Sequence, residues 1–333
     1  MFIGHALLAF AIAAVCANRF GWSSERSLAF GVLAGAFGAL PDVDIVYAVA
    51  TVDAGQLLIG ADPTVFWAAS EGVHRAMTHS IVIAAVAAPA FALLVSRGAG
   101  HQSIDRSRLL GTVTLGGLVV VATAVSGPVG ALVMSAFALG GAAIAIAARR
   151  RTDLSPLAIA LAAIIGLASH PWGDLVTGEP PWLLYPFDVA AVGTRVMLHT
   201  DPTLHLLAAF SIELAIIWAA VLAFAHVAGW SLWIHSDPSA SIGATYSLAA
   251  IVLVPPTLEV SYHFVFSILL VGILCGTVSW LRSKRRSPRG RSLRSMRTKF
   301  FIGWSTPALT AIVTALAGTT IALVGYGAAY LAL

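Results

Sequence analysis

Residues 154–177 read "LSPLAIALAAIIGLASHPWGDLVT". No charged side chain interrupts this stretch until it ends on His170 and Asp174, spaced four apart. On a helix of 3.6 residues per turn that spacing puts both side chains on one face. Leaving a membrane accounts for an aspartate at the end of an apolar helix. It does not account for the pairing.

The composition says which solvent the apolar run meets. Of 333 residues, 59% are hydrophobic and only 10% charged, against roughly a quarter charged in soluble domains. Mean hydropathy is +0.89. These values define an all-α, polytopic helical membrane protein. The net charge of +4 is no nucleic-acid signature, because the basic residues collect in loops between apolar runs. The two cysteines, Cys16 and Cys275, both lie inside apolar runs, which argues against a disulfide framework and a thiolate metal site. The N-terminal "MFIGHALLAFAIAAVCANRF" has the length of a signal peptide but no basic start, and carries His5 within its apolar stretch. It reads as a retained first span.

At about 20 apolar residues per crossing, about ten spans are expected, near 3–18, 27–49, 76–96, 109–126, 129–148, 154–173, 204–228, 242–256, 262–281 and 304–330. The second should stop near Leu40, ahead of Pro41, Asp42 and Asp44. The eighth is short and ends at prolines, so a re-entrant segment is the other reading. The loop 282–299 holds Arg282, Lys284, Arg285, Arg286, Arg289, Arg291, Arg294, Arg297 and Lys299 without an acid, so the positive-inside rule makes it cytoplasmic. Counting back, Arg19, Arg26, Arg97, Arg106, Arg108 and Arg149 to Arg151 also fall inside. The loops 50–75 and 174–203 then fall outside, with Asp53, Asp62, Glu71, Asp174, Glu179, Asp188 and Asp201. One assumption sorts the rest and puts both termini outside.

With sides assigned, the ionisable residues gather in the outer layer. His5 begins the first span, Asp42 and Asp44 end the second, and His74, Arg75 and His79 begin the third. His170 and Asp174 end the sixth, His199, Asp201 and His205 lead into the seventh, and His263 begins the ninth. Each has an ordinary explanation. A lone His5 can bond a carbonyl, "PDVD" can stop a helix, and "HRAMTHS" can be an interfacial anchor with back-bonding hydroxyls. His170 and Asp174 can bond each other, and His199 and His205 suit a polar loop. Together these explanations weaken, because ionisable groups at membrane depth are costly and point to function. Neutral imidazole with carboxylate is a ligand set for zinc, iron, manganese or nickel. Arg75 has no lone pair to offer a metal. On a helix it would share a face with His79, and it suits an anionic substrate.

"GHALLAF", "LPDVD", "HRAMTHS", "SHPWGDLVT" and "YPF", in this order over roughly residues 1–190, resemble the membrane-bound, metal-dependent hydrolases also described as LexA-binding, inner-membrane-associated and YdjM-like. The H-x-x-x-D pair is also similar to ligand pairs of zinc-dependent phospholipase C enzymes. The resemblance implies a divalent-metal centre, zinc first with manganese or iron as alternatives. By position it implicates His5, Asp42, Asp44, His74, His79, His170 and Asp174. Arg75, Asp44 and His74 are the expected catalytic groups, with Asp44 or His74 acting as base or orienter if not ligating. The expected organisation is a hydrolase-like membrane domain over 1–205, then further transmembrane helices over 206–333 that include the polybasic loop. The expected activity is hydrolysis of a lipid or polyprenyl phosphoester at the outer face of the cell membrane. The expected partners are membrane lipid and an anionic substrate, with no nucleic acid. LexA binding is not carried over, since the motifs face away from the cytoplasm. The alternatives are a metal or proton transporter, for which few inner ionisable residues are available beyond Glu213 and His226, and a non-catalytic membrane protein with a structural metal site.

Overall fold

The computed structural model describes residues 2–45, 75–96, 105–177, 180–232, 235–286 and 306–333. The regular structure among the described residues is all helical, with no strand. The chain divides into two compact units, Met1–Val196 and Met197–Leu333.

In the first unit, α1 (Phe2–Arg19) and α2 (Ser24–Ala39) form an antiparallel pair. The turn between them uses Gly21 at φ +80°. Ser23 caps α2 by accepting from the Arg26 amide at 3.4 Å. Small residues let membrane helices approach closely where no hydrophobic drive exists between them. Gly31 and Gly35 on α2 do this for α1, and a Cβ on Gly35 would lie 2.8 Å from the Ala6 carbonyl oxygen. After Ala39 the chain tightens into a 3₁₀ turn, Leu40–Ile45, at the expected stop.

The third apolar helix, α3 (Ile81–Val95), begins later than its sequence suggests. Ser80 is its N-cap, accepting from the Val82 and Ile83 amides. The "HRAMTHS" stretch therefore precedes the helix, as a 3₁₀ turn Met77–His79. The shared helical face expected for Arg75 and His79 does not exist. Arg75 is instead a turn residue with φ +67°. The element α4 (Arg106–Arg151) contains two expected spans, because Gly127 leaves helical geometry at φ 66°, ψ −157°. A Cβ on Gly130 would lie 2.4 Å from the Ala122 carbonyl oxygen. Residues eight apart on a straight helix would be about 12 Å apart, so the chain doubles back here. Next come α5 (Pro156–Ser169) and the short α6 (Pro171–Thr177), separated at His170. Pro171 lacks the amide proton that would bond the turn before it.

The second unit holds α7 (Pro202–Ala228), a 3₁₀ helix Pro238–Leu248, α8 (Ala249–Val252), α9 (Tyr262–Arg286) and α10 (Thr306–Ala332). His205 lies in the first turn of α7 and is buried, not in a polar loop. The expected span at 242–256 is not one continuous α-helix, being 3₁₀ up to Leu248 and α-helical only over Ala249–Val252. A 3₁₀ run this long is unusual, and the sequence supports it with hydroxyls. Ser241, Thr245 and Ser247 each donate to the carbonyl three residues back, at 2.8, 2.8 and 2.9 Å. In α9 and α10, Thr277 and Thr320 bond four residues back instead. The 3₁₀ segment runs alongside α10, with His235 at Thr310, Asp237 at Thr314, Gly243 at Gly318 and Ser247 at Gly325. The α10 stretch from 310 to 325 rises about 22 Å at 1.5 Å per residue. At about 2.0 Å per residue a 3₁₀ helix covers that height with fewer residues.

Among the described residues, six helices are long and apolar enough to cross a membrane, and Ile3–Arg19 and Ile81–Val95 are shorter apolar ones. The two spans expected at 109–126 and 129–148 lie on either side of Gly127 within α4, and the one expected at 242–256 begins as the 3₁₀ segment.

Candidate metal centre

The first unit gathers its buried histidines and aspartates at one end. Neighbouring helices run antiparallel, so the start of α1, the end of α2, the turn before α3 and the end of α5 lie together. Close packing sets the fit. A Cβ on Gly166 of α5 would lie 2.4 Å from the Ala34 carbonyl oxygen and 2.6 Å from the Gly38 amide nitrogen of α2. Only a glycine allows α5 that near.

That approach brings His170 to the Gly38 carbonyl, with Nδ1 at 2.6 Å. A carbonyl only accepts, so Nδ1 carries the proton and a neutral His170 has its lone pair on Nε2. His170 is fully buried. Around its Nε2 stand His79 Nε2 at 3.0 Å, Asp42 Oδ1 at 3.5 Å and Asp174 Oδ2 at 3.7 Å. The His5 ring stacks on His170 with centroids 3.9 Å apart. Its Nε2 lies 3.3 Å from Asp174 Oδ1. His79 Nε2 lies 3.1 Å from Asp174 Oδ2, yet that buried oxygen accepts no hydrogen bond.

Two groups of three could each hold a metal ion: His5, Asp42 and His170, and His79, His170 and Asp174. The donor atoms within each group lie within 4.8 Å of one another. Zinc–nitrogen bonds of about 2.0–2.1 Å in a tetrahedron put ligand atoms roughly 3.3 Å apart. The observed separations of 3.0 to 3.7 Å bracket that value. Two imidazole nitrogens 3.0 Å apart beside a buried carboxylate oxygen are held together by a shared proton or by a cation among them. The donor set therefore fits a bound cation.

The remaining residues named from sequence divide. Asp44 is fully buried but turned to the far side of His79. Its Oδ2 accepts from the Arg75 amide at 3.1 Å and the Thr78 hydroxyl at 3.3 Å, and lies 3.5 Å from His79 Nδ1. Arg75 Nη2 lies 3.6 Å from Asp174 Oδ1, with its side chain 15% exposed. His74 lies outside the described residues. His199, Asp201, His205 and His263 belong to the second unit.

The "YPF" region braces this arrangement. The Trp182 amide donates to the Arg75 carbonyl at 2.9 Å, and the Ile81 amide donates to Leu183 O at 2.9 Å. The Ser80 hydroxyl reaches Leu183 O and Tyr185 O. Sequence reasoning missed two members. Thr78 reads as a back-bonding hydroxyl, and its one signal is adjacency to His79 in a stretch that is not helical. The Gly38 carbonyl has no side-chain signature at all.

The architecture and this cluster define a polytopic helical membrane protein able to hold a metal ion among buried histidines and aspartates. The chain belongs to the YdjM inner membrane protein family, whose description matches residues 1–280. Comparison with curated proteins and with solved structures finds no match.

Proposed function

We propose that the protein is a membrane-embedded, metal-dependent hydrolase acting on the phosphoester of a lipid or polyprenyl amphiphile at the outer membrane face. The observation that carries this is the convergence of His79 Nε2, His170 Nε2 and the undonated Asp174 Oδ2, with an arginine at their edge. His5, Asp42, His79, His170 and Asp174 hold the ion, zinc by donor type, with manganese or iron as alternatives. Such an ion lowers the pKa of a bound water and offsets charge developing at phosphorus.

The chain's own residues supply the rest. Arg75 offers a planar fork of donors to phosphate oxygens. Its left-handed backbone costs on the order of 1–3 kcal/mol, and bonds to Asp44 and Trp182 at its amide and carbonyl hold it there. Asp44 acts as an orienter, which leaves Asp42 as the ligating carboxylate of "PDVD". Trp172, Phe187, Val189 and Val196 are 54%, 60%, 52% and 43% exposed, on segments joined to the cluster through Trp182 and Leu175. Exposed apolar residues there suit an amphiphile better than a soluble ester.

The outer-face assignment rests on the basic loop at 282–299 being cytoplasmic and on counting the 3₁₀ segment as a crossing. An impermeant thiol reagent added to intact cells should label an F187C protein. Labelling only after lysis would reverse the sidedness.

Arg75→Gln should lower kcat/KM for a lipid phosphoester by about 10²–10³, with metal content unchanged and chelator abolishing the remainder. Full metal occupancy with no chelator-sensitive hydrolysis of lipid or soluble phosphoesters would favour a structural metal site.

A further inference from the structure

We infer that Thr78 is a positioning residue: its hydroxyl relays the Asp44 carboxylate to His79 and so fixes which imidazole nitrogen faces the cluster. This deepens the metal-centre reading and rests on it. Thr78 is 3% exposed, in the turn between Arg75 and α3. Its Oγ lies 3.3 Å from Asp44 Oδ2 and 3.0 Å from His79 Nδ1. A carboxylate cannot donate, so the single hydroxyl proton goes to Asp44. The hydroxyl lone pair then faces His79 Nδ1, which must carry a proton. With Nδ1 protonated, the lone pair of neutral His79 is on Nε2, towards His170 Nε2 and Asp174 Oδ2 at 3.0 and 3.1 Å.

The chain thereby fixes two imidazoles by two devices. His170 is set by the Gly38 carbonyl at 2.6 Å, and His79 by a carboxylate acting through a hydroxyl. Hydrogen-bond partners behind a ligating histidine fix its tautomer and ring orientation, and losing one typically costs 10–100-fold in metal affinity. Without the hydroxyl, Asp44 Oδ2 is 3.5 Å from His79 Nδ1, beyond good hydrogen-bond distance.

The experiment measures Zn²⁺ affinity by competition with a chelating dye, for the full-length protein in detergent and for its T78V and T78S variants. Valine keeps the shape and removes the hydroxyl, whereas serine keeps the hydroxyl. T78V should bind about 10–100-fold more weakly, and T78S should match the wild type. Equal affinity for T78V overturns the inference, and so does an equal loss in T78S. If the wild type binds no Zn²⁺, the metal-centre reading itself fails, which the wild-type arm shows separately. Ring ¹⁵N shifts of His79 in the metal-free wild type give a test independent of how T78V folds. They should show Nδ1 protonated, and a proton on Nε2 overturns the inference.

Discussion

Purified H170A/D174A protein should contain no stoichiometric metal, and its Zn²⁺ affinity should fall by about 10⁴ or more. Apparent binding energies near 10–16 kcal/mol for structural zinc are shared among about four ligands, or roughly 3 kcal/mol each. Two removals therefore cost about 6 kcal/mol, and each 1.4 kcal/mol is tenfold. The geometry makes this pair decisive. His170 belongs to both possible ligand groups, and the two Asp174 oxygens face different histidines, His5 at 3.3 Å and His79 at 3.1 Å. Losing both residues leaves neither group intact. D44A should weaken binding by only about 10–100-fold, as expected of an orienter. Elemental analysis of both variants beside the wild type reads metal content, and competition with a chelating dye reads the affinities. Retained stoichiometric metal in H170A/D174A would remove the basis for any hydrolytic mechanism at this end of the bundle.

The membrane class and the helical fold are legible in composition, because apolar runs at this density have no other stable form. The grouping of His5, Asp42, His79, His170 and Asp174 is also legible. Antiparallel neighbours bring alternate helix ends to one side, so counting spans is enough to find them. Other features escape because they depend on backbone geometry that hydropathy does not register. A window average cannot see that Gly127 reverses α4, nor that "DPSASIGATYSL" rises as a 3₁₀ helix with its hydroxyls bonded three back. Helical-wheel reasoning on "HRAMTHS" fails for the same reason, since Arg75 at φ +67° and Ser80 as a cap exclude one continuous helix. Asp42 and Asp44 are two apart and chemically alike. Only the tight turn at Leu40–Ile45 sends one towards His170 and the other behind His79.

A single methyl group on a residue that is no ligand, one helical turn before His170, should be as damaging as a lost ligand. In G166A the new Cβ would meet the Ala34 carbonyl oxygen at 2.4 Å and the Gly38 amide nitrogen at 2.6 Å. Both are backbone atoms, so no side-chain rotation relieves the clash, and α5 must move away from α2. Overpacking of this kind costs about 1–3 kcal/mol, and more where backbone resists. At roughly 2–4 °C per kcal/mol for a unit of this size, the melting temperature should fall by about 5–10 °C. The functional loss should exceed the stability loss, since the displaced helix carries His170 away from the Gly38 carbonyl that sets its tautomer. Zn²⁺ affinity should therefore fall although all five ligand side chains remain. Gly116 supplies the control, because a Cβ there meets nothing within 4 Å. G116A should melt at or slightly above the wild type, since alanine is favoured over glycine in a helix by about 1 kcal/mol, and it should bind Zn²⁺ normally. If G166A melts and binds as G116A does, close approach of α2 and α5 is not what assembles the cluster.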